Sequence, residues 1–209
     1  MLVRERMQSP VFTIDAGASL REALDLTLAH GFRHLPVMEA GQLVGVVTDR
    51  DLRRVTSSLY PNPLGVDEPV RTAMSATPYT ADPLDPVEDA AWIMREHRIG
   101  CLPVLDGTEL VGMLTLIDIL DALILLTGTG QASSRLEVVL SDRPGELARL
   151  TAFLAARNLN IHSILTYPDQ DQNVRTVLRV GTNQMRPLIE AMRRDGYEIL
   201  WPPPNPWQH

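Results

Sequence analysis

Lysine is absent from the chain: all 19 basic residues are arginines. This excludes a Schiff-base lysine and the lysine of a Walker-type phosphate loop. Cysteine is nearly as scarce. Cys101 stands alone, so neither an intrachain disulfide nor a cysteine-rich zinc site can form. Positive charge is outweighed, and a net charge of -7 argues against a duplex nucleic-acid partner, which wants a basic face. Long apolar runs are missing too. The most apolar stretch, Ile117 to Leu126, is broken by Asp118 and Asp121 and is too short to span a bilayer. The opening Met1-Leu2-Val3-Arg4-Glu5-Arg6 places charges where a signal peptide needs its apolar core. A cytoplasmic protein is expected.

What the chain does have is an internal copy. Pro36 matches Pro103, and the same offset pairs Val3-Arg4 with Val70-Arg71, Met7 with Met74, Thr13 with Thr80 and His30 with His97. Residues 1–59 and 68–126 are therefore two copies of one unit, joined by the Pro- and Gly-rich Tyr60 to Pro69. Each copy holds a Leu-Pro-Val strand, a tight turn and a second strand. The second strand ends in G-x-x-T-x-x-D: Gly45, Thr48 and Asp51 in the first, Gly112, Thr115 and Asp118 in the second.

Each unit is expected to open with a short strand, Val11 to Ile14 and Pro78 to Ala81, followed by a capped helix. Ser19 and Glu22 have capping-box spacing. In the second unit Asp85 caps and Pro86 takes the first helical position. Small polar residues from Leu126 to Ser134 mark a domain boundary. Beyond it the pattern reads strand, helix, strand, strand, helix, strand over residues 135–201, a βαββαβ sandwich with helices on one face of an antiparallel sheet. The Pro-rich tail, 202–209, is expected to be extended polyproline.

The duplicated unit resembles a tandem pair of CBS domains, through its repeated strand, its G-x-x-T-x-x-D motif and its leading strand and helix. The C-terminal part resembles an ACT domain, through Asp142-Arg143-Pro144-Gly145-Glu146-Leu147 at the first strand–helix junction and the βαββαβ order. The expected fold is thus α/β (α+β), a tandem CBS pair followed by a ferredoxin-like ACT domain. That order is similar to the acetoin-utilisation AcuB-like proteins, as is Thr48-Asp49-Arg50-Asp51-Leu52.

Thr48 and Asp51 have two readings. A threonine N-cap with an acid three residues on can simply start a helix. The same helix N-terminus suits a phosphate, and the aspartate can accept both hydroxyls of a ribose. The CBS resemblance implies adenine-nucleotide binding (AMP, ADP or ATP) at Thr48, Asp51, Thr115 and Asp118, with Arg33 and His34 before the Pro-Val strand meeting phosphates. Arg50, Arg53 and Arg54 crowd the first motif, where a solvated basic face is the alternative. Phe12 and Tyr79 either wall the base or belong to the core. His30 and His34 are separated by Gly31 without further ligands, so no metal is expected.

In the ACT-like part, Gly145 lets the backbone turn and leaves helix N–H groups open for a carboxylate. Asp142 is either an N-cap or a partner for an amino group. The resemblance places a ligand contact at Asn160, and equally implies ACT domains that only dimerise. A non-catalytic regulatory protein is expected, forming a homodimer, binding adenine nucleotide and in addition an amino acid or small metabolite, and acting on an unidentified regulated protein. The alternatives are an adaptor dimer with vestigial sites, or an enzyme. Against an enzyme, no nucleophile–base constellation is visible and no catalytic residue can be named.

Overall fold

The computed structural model describes residues 1–203. The expected polyproline from Pro204 onward lies outside the described residues. The chain divides into two compact units, Met1–Ala122 and Leu123–His209.

In the first unit both copies contain a helix, a β-hairpin and a second helix in the same order. The first comprises β1 (Ile14–Asp15), α1 (Leu20–His30), β2 (His34–Glu39), β3 (Gln42–Thr48) and α2 (Asp49–Thr56). After the linker come β4 (Ser75–Ala76), α3 (Val87–His97), β5 (Cys101–Asp106), β6 (Glu109–Thr115) and α4 (Leu116–Leu126). The β2–β3 hairpin turns on Ala40 and Gly41, both at positive φ (48° and 78°), the handedness that matches strand twist. Helix α1 begins at a complete capping box between Ser19 and Glu22 and ends at Gly31 in the left-handed region. The corresponding start of α3 differs from expectation. Pro86 is itself the N-cap, and the Asp85 carboxylate accepts the Asp82 N–H (2.8 Å), one turn too early to cap the helix. The expected strand at Pro78 to Ala81 shrinks to one bridge, Ala81 to Val104. Pro78 lacks an N–H, and Thr77 at φ 47° breaks the extended run.

The segments ahead of the first helices are exchanged between copies. Val3 lies fully buried in the core of the second copy, with Ala90, Met94, Leu102 and Leu114. Val70, its counterpart, lies in the core of the first with Leu20, Leu35, Val47 and Leu52. The backbone bonds repeat as well. Val3 N–H donates to Asp85 O (2.9 Å) and Gln8 N–H to Met113 O (2.9 Å), while Val70 N–H donates to Ala18 O (2.8 Å). Strand β4 completes the first sheet in the order β1-β2-β3-β4. The motif glycines make this approach feasible. A Cβ at Gly45 would stand 2.6 Å from Met74 Sδ and 2.9 Å from Ser75 O, and one at Gly112 would collide with Met7 Sδ.

The second unit holds β7 (Ser134–Ser141), α5 (Glu146–Ala155), β8 (Ile161–Pro168), β9 (Asn173–Val180), α6 (Met185–Arg194) and β10 (Glu198–Trp201). Its antiparallel sheet runs β10-β7-β9-β8, the ferredoxin-like order. Leu136, Val138 and Leu140 alternate onto the face that packs Leu150, Leu154, Leu188 and Met192 of the helices. Burial of this stripe holds the layers together. Among the described residues β8 and β10 are the outer strands of this sheet.

Candidate nucleotide cleft and C-terminal ligand turn

Both G-x-x-T-x-x-D motifs place threonine at the end of a strand and aspartate in the first turn of the next helix. Thr48 is the N-cap of α2. Its Oγ1 accepts the Asp51 N–H (3.1 Å) and donates to Asp51 Oδ2 (2.6 Å). Thr115 likewise donates from Oγ1 to Asp118 Oδ2 (2.6 Å), and its N–H reaches the same oxygen (2.7 Å). The helix-capping reading is thus literal in both copies, yet it uses one carboxylate oxygen. The other oxygen differs between the copies. Asp51 Oδ1 has Arg54 Nη2 at 3.8 Å and no hydrogen bond among the described residues. Asp118 Oδ1 accepts a hydrogen bond from Gln8 Nε2 (3.3 Å), and Asp118 is only 8% exposed. Spacing within the motif does not reveal Gln8, because it arrives from the exchanged N-terminal segment.

The cations around the first motif separate into groups. Arg33 and Arg50 are exposed. Arg53 faces Asp49 at 4.0 Å, and Arg54 lies over the Tyr60 ring, 5.9 Å from its centroid. Asp49, Arg50, Arg53, Arg54, Ser57, Leu59 and Tyr60 line an open depression along α2. His34 is half-buried, and a Cβ on Gly100 would stand 3.1 Å from its Nε2. Burial holds this imidazole below the ordinary histidine range, against the pull of Asp49 and Asp51. The matching positions of the second copy are Gly100, Cys101, Ile117, Leu120 and Asp121, with no cation. Cys101 is buried, which pushes its thiol up to about 12.

The aromatic positions pair with the matched histidines. Tyr79 stacks on His97 (centroids 3.7 Å apart, 15°), and Phe12 packs on His30 (4.7 Å) and Phe32 (5.0 Å). Both Phe12 and Tyr79 are about half exposed (48% and 51%), so neither belongs to the core proper. Among the described residues no group of three or more His, Cys, Asp or Glu is placed to hold a metal ion.

In the second unit Gly145 is the N-cap of α5 at φ 97°, with no side-chain cap and open space where a Cβ would stand. Asp142 does not cap the helix. Its N–H donates to Gln172 O (2.9 Å), and its side chain is exposed. Asn160 accepts the Gly181 N–H at its carbonyl (2.9 Å). Ile161, next to Asn160, pairs with Val180, whereas Ser141, next to Asp142, pairs with Asn173. Within one chain the two candidates therefore sit at opposite ends of β9.

A further cluster escaped the sequence reading. Glu137, between the apolar positions of β7, is 8% exposed. It accepts hydrogen bonds from Arg135 Nη2 (2.7 Å) and Tyr167 OH (2.6 Å), with Arg175 at 4.0 Å. Burial pushes its carboxyl up, but these hydrogen bonds outweigh burial and hold it below the usual carboxylate range. Alternation alone marks this position as solvent-facing; the flanking arginines were the available signal.

Comparison with known proteins follows this division. Residues 3–58 and 70–125 match the CBS domain family, and residues 134–196 match the ACT domain family. A CBS domain-containing protein of Dictyostelium discoideum is 38% identical over 133 residues, covering 59% of this chain and 92% of that protein. Among solved structures, a Vibrio cholerae protein named for acetoin utilization (AcuB) superposes with a TM-score of 0.55 at 29% identity, over 64% of this chain and 98% of that one. The CBS domain pair of protein MJ0100, in complex with 5′-methylthioadenosine and S-adenosyl-L-methionine, gives 0.54 at 26% identity over 63% and 98%. CBSX2 in complex with AMP gives 0.51 at 25% identity over 59% and 96%. Enzymes also carry such pairs: an L-aspartate semialdehyde sulfurtransferase of Methanocaldococcus jannaschii is 31% identical, with only 22% of it covered. The CBS matches at residues 3–58 and 70–125 span more than half of the chain, which therefore belongs to the CBS domain family, as a tandem CBS pair followed by an ACT domain.

Proposed function

We propose that the chain is a non-catalytic regulatory protein whose first CBS cleft binds an adenine nucleotide, AMP, ADP or ATP. The observation that carries this reading is the state of Asp51. One oxygen is oriented by Thr48, and the other makes no hydrogen bond among the described residues, beside a helix N-terminus. A ribose finds an aimed acceptor there, and a phosphate finds the positive end of α2 with Arg33, His34 and Arg50 close in sequence. The adenosine ligands of the MJ0100 and CBSX2 structures support the ligand class. Thr115 and Asp118 form the second, weaker site.

The ACT unit takes an amino acid or small metabolite between two copies. Antiparallel pairing of the β8 edges in a homodimer brings Asn160 of one copy toward the Asp142–Gly145 turn of the other. Likeness to AcuB supports a role linked to acetoin utilisation or neighbouring carbon metabolism; the chain acts in the cytoplasm, through a regulated protein. The described helices include none long and apolar enough to cross a membrane.

Calorimetry tests the nucleotide site. Asp51→Ala should abolish the tight phase of AMP or ATP binding, and Asp118→Ala should spare it. The reverse ranking, or no binding by the unaltered chain, overturns the reading. A thermal-shift series gives an independent readout, since a ligand at 100 times its Kd stabilises by about 2.7 kcal/mol.

A further inference from the structure

Gln8 and Ser75 hold equivalent places in the two exchanged segments, immediately after Met7 and Met74. Their backbones do the same work. Gln8 N–H donates to Met113 O (2.9 Å) and Met113 N–H to Gln8 O (3.0 Å), and Ser75 pairs with Val46, the counterpart of Met113. Their side chains do not. Gln8 Nε2 donates to Asp118 Oδ1 at 3.3 Å, whereas the Ser75 hydroxyl makes no hydrogen bond to Asp51 among the described residues.

The consequence is chemical. A ribose hydroxyl recognises an aspartate by donating to a carboxylate oxygen, and the Gln8 amide already donates to that oxygen in the second copy. Thr115 Oγ1 and the Thr115 N–H occupy the other oxygen. Asp118 is thus buried with both oxygens engaged, while Asp51 keeps one oxygen without a hydrogen bond among the described residues. A ligand entering the second cleft competes with a charge-assisted hydrogen bond that has no counterpart in the first.

We propose that Gln8 is the specificity-determining residue of the second cleft, a built-in substitute for a ribose hydroxyl that limits the chain to one tightly bound nucleoside. This rests on the adenine-nucleotide reading above. It is separate from the shortage of cations around Asp118, because it acts on the ribose and not on the phosphate.

The test uses adenosine, which carries no phosphate, alongside AMP, titrated calorimetrically into the full chain. Gln8→Ser installs the residue type of the first copy at an exposed position, and Ser supplies the same backbone bonds. Gln8→Ala is the second variant, and both are checked for an unchanged melting transition. Both should gain a second binding phase about tenfold or more tighter than in the unaltered chain, for adenosine as for AMP. Adding Asp118→Ala should remove that gain. If the unaltered chain binds through Asp51 but neither variant strengthens the second phase, the role of Gln8 is overturned and the nucleotide reading stands. If no variant binds adenosine or AMP at all, both fall together.

Discussion

The imidazole of His34 rests against the backbone of Gly100, the residue that matches Arg33 in the other copy; a Cβ there would stand 3.1 Å from Nε2. His34 is therefore wedged at the seam between the copies, facing Arg33, Asp49, Arg50 and Asp51, and burial depresses its pKa. A base with a lower pKa folded than unfolded leaves the unfolded chain holding more protons between the two values. Its contribution is undiminished well above the ordinary value of about 6.5, shrinks as pH falls through it, and stops changing below the folded pKa. Urea midpoints should drop from about pH 7.5 to about pH 5. His34→Gln should flatten that slope, and an unchanged slope would show that His34 does not carry it.

Glycine at the head of each motif admits a side chain from the other copy, but the two positions are not equally strict. At Gly112 the obstructing atoms all belong to the flexible Met7 side chain, whereas at Gly45 the Ser75 carbonyl is also within 2.9 Å of a built Cβ. Both alanine variants should lose about 1–3 kcal/mol of stability, with Gly45→Ala the worse. Combining Met7→Ala with Gly112→Ala should recover part of the loss. Met74→Ala should do less for Gly45→Ala, because the carbonyl remains. Equilibrium denaturation of the four variants ranks them.

Cys101 should be chemically silent in the folded chain. It is buried, and its thiol is pushed up to about 12, so almost no thiolate exists near neutrality. Iodoacetamide at about pH 8 should modify it only after denaturant is added. Cys101 packs with Val46 and Met113, and rapid labelling of the native chain would contradict that packing.

Sedimentation at micromolar concentration should find a homodimer. Gly145→Val forces a branched residue to a φ of 97° and should weaken both dimerisation and any amino-acid response, at a cost above about 1 kcal/mol. A monomeric unaltered chain refutes the pairing of β8 edges. An unaffected Gly145→Val variant removes the turn from the ligand site.

The regular parts of this chain were legible because their signals are local. The β2–β3 turn, the Ser19–Glu22 capping box and the alternation in β7 and β9 each depend on residues within a few positions of one another. What could not be read depends on distance along the chain. Gln8 and Asp118 lie 110 residues apart, and nothing in the motif says which side chain will reach the free oxygen. Glu137 looked like the solvent half of an alternating strand until Tyr167, from β8, closed over it. At Asp85 a local signal misled: the carboxylate found the Asp82 N–H first, and the helix began without it.

The exchanged segments also impose an order on synthesis. The first copy cannot complete its sheet or core until Ser75, Ala76 and Val70 have left the ribosome, long after its own helices are out. Val3, made almost first, has no apolar site to enter until Leu102 and Leu114 emerge. Everything the first copy borrows is out by Ala76, whereas the second copy needs β6 as well as Val3, so the nascent chain should gain protease resistance in two steps, the first copy ahead of the second. Limited proteolysis of chains stalled at successive lengths would show it; protection of residues 1–59 before Val70 emerges would mean that the first copy folds without its borrowed strand.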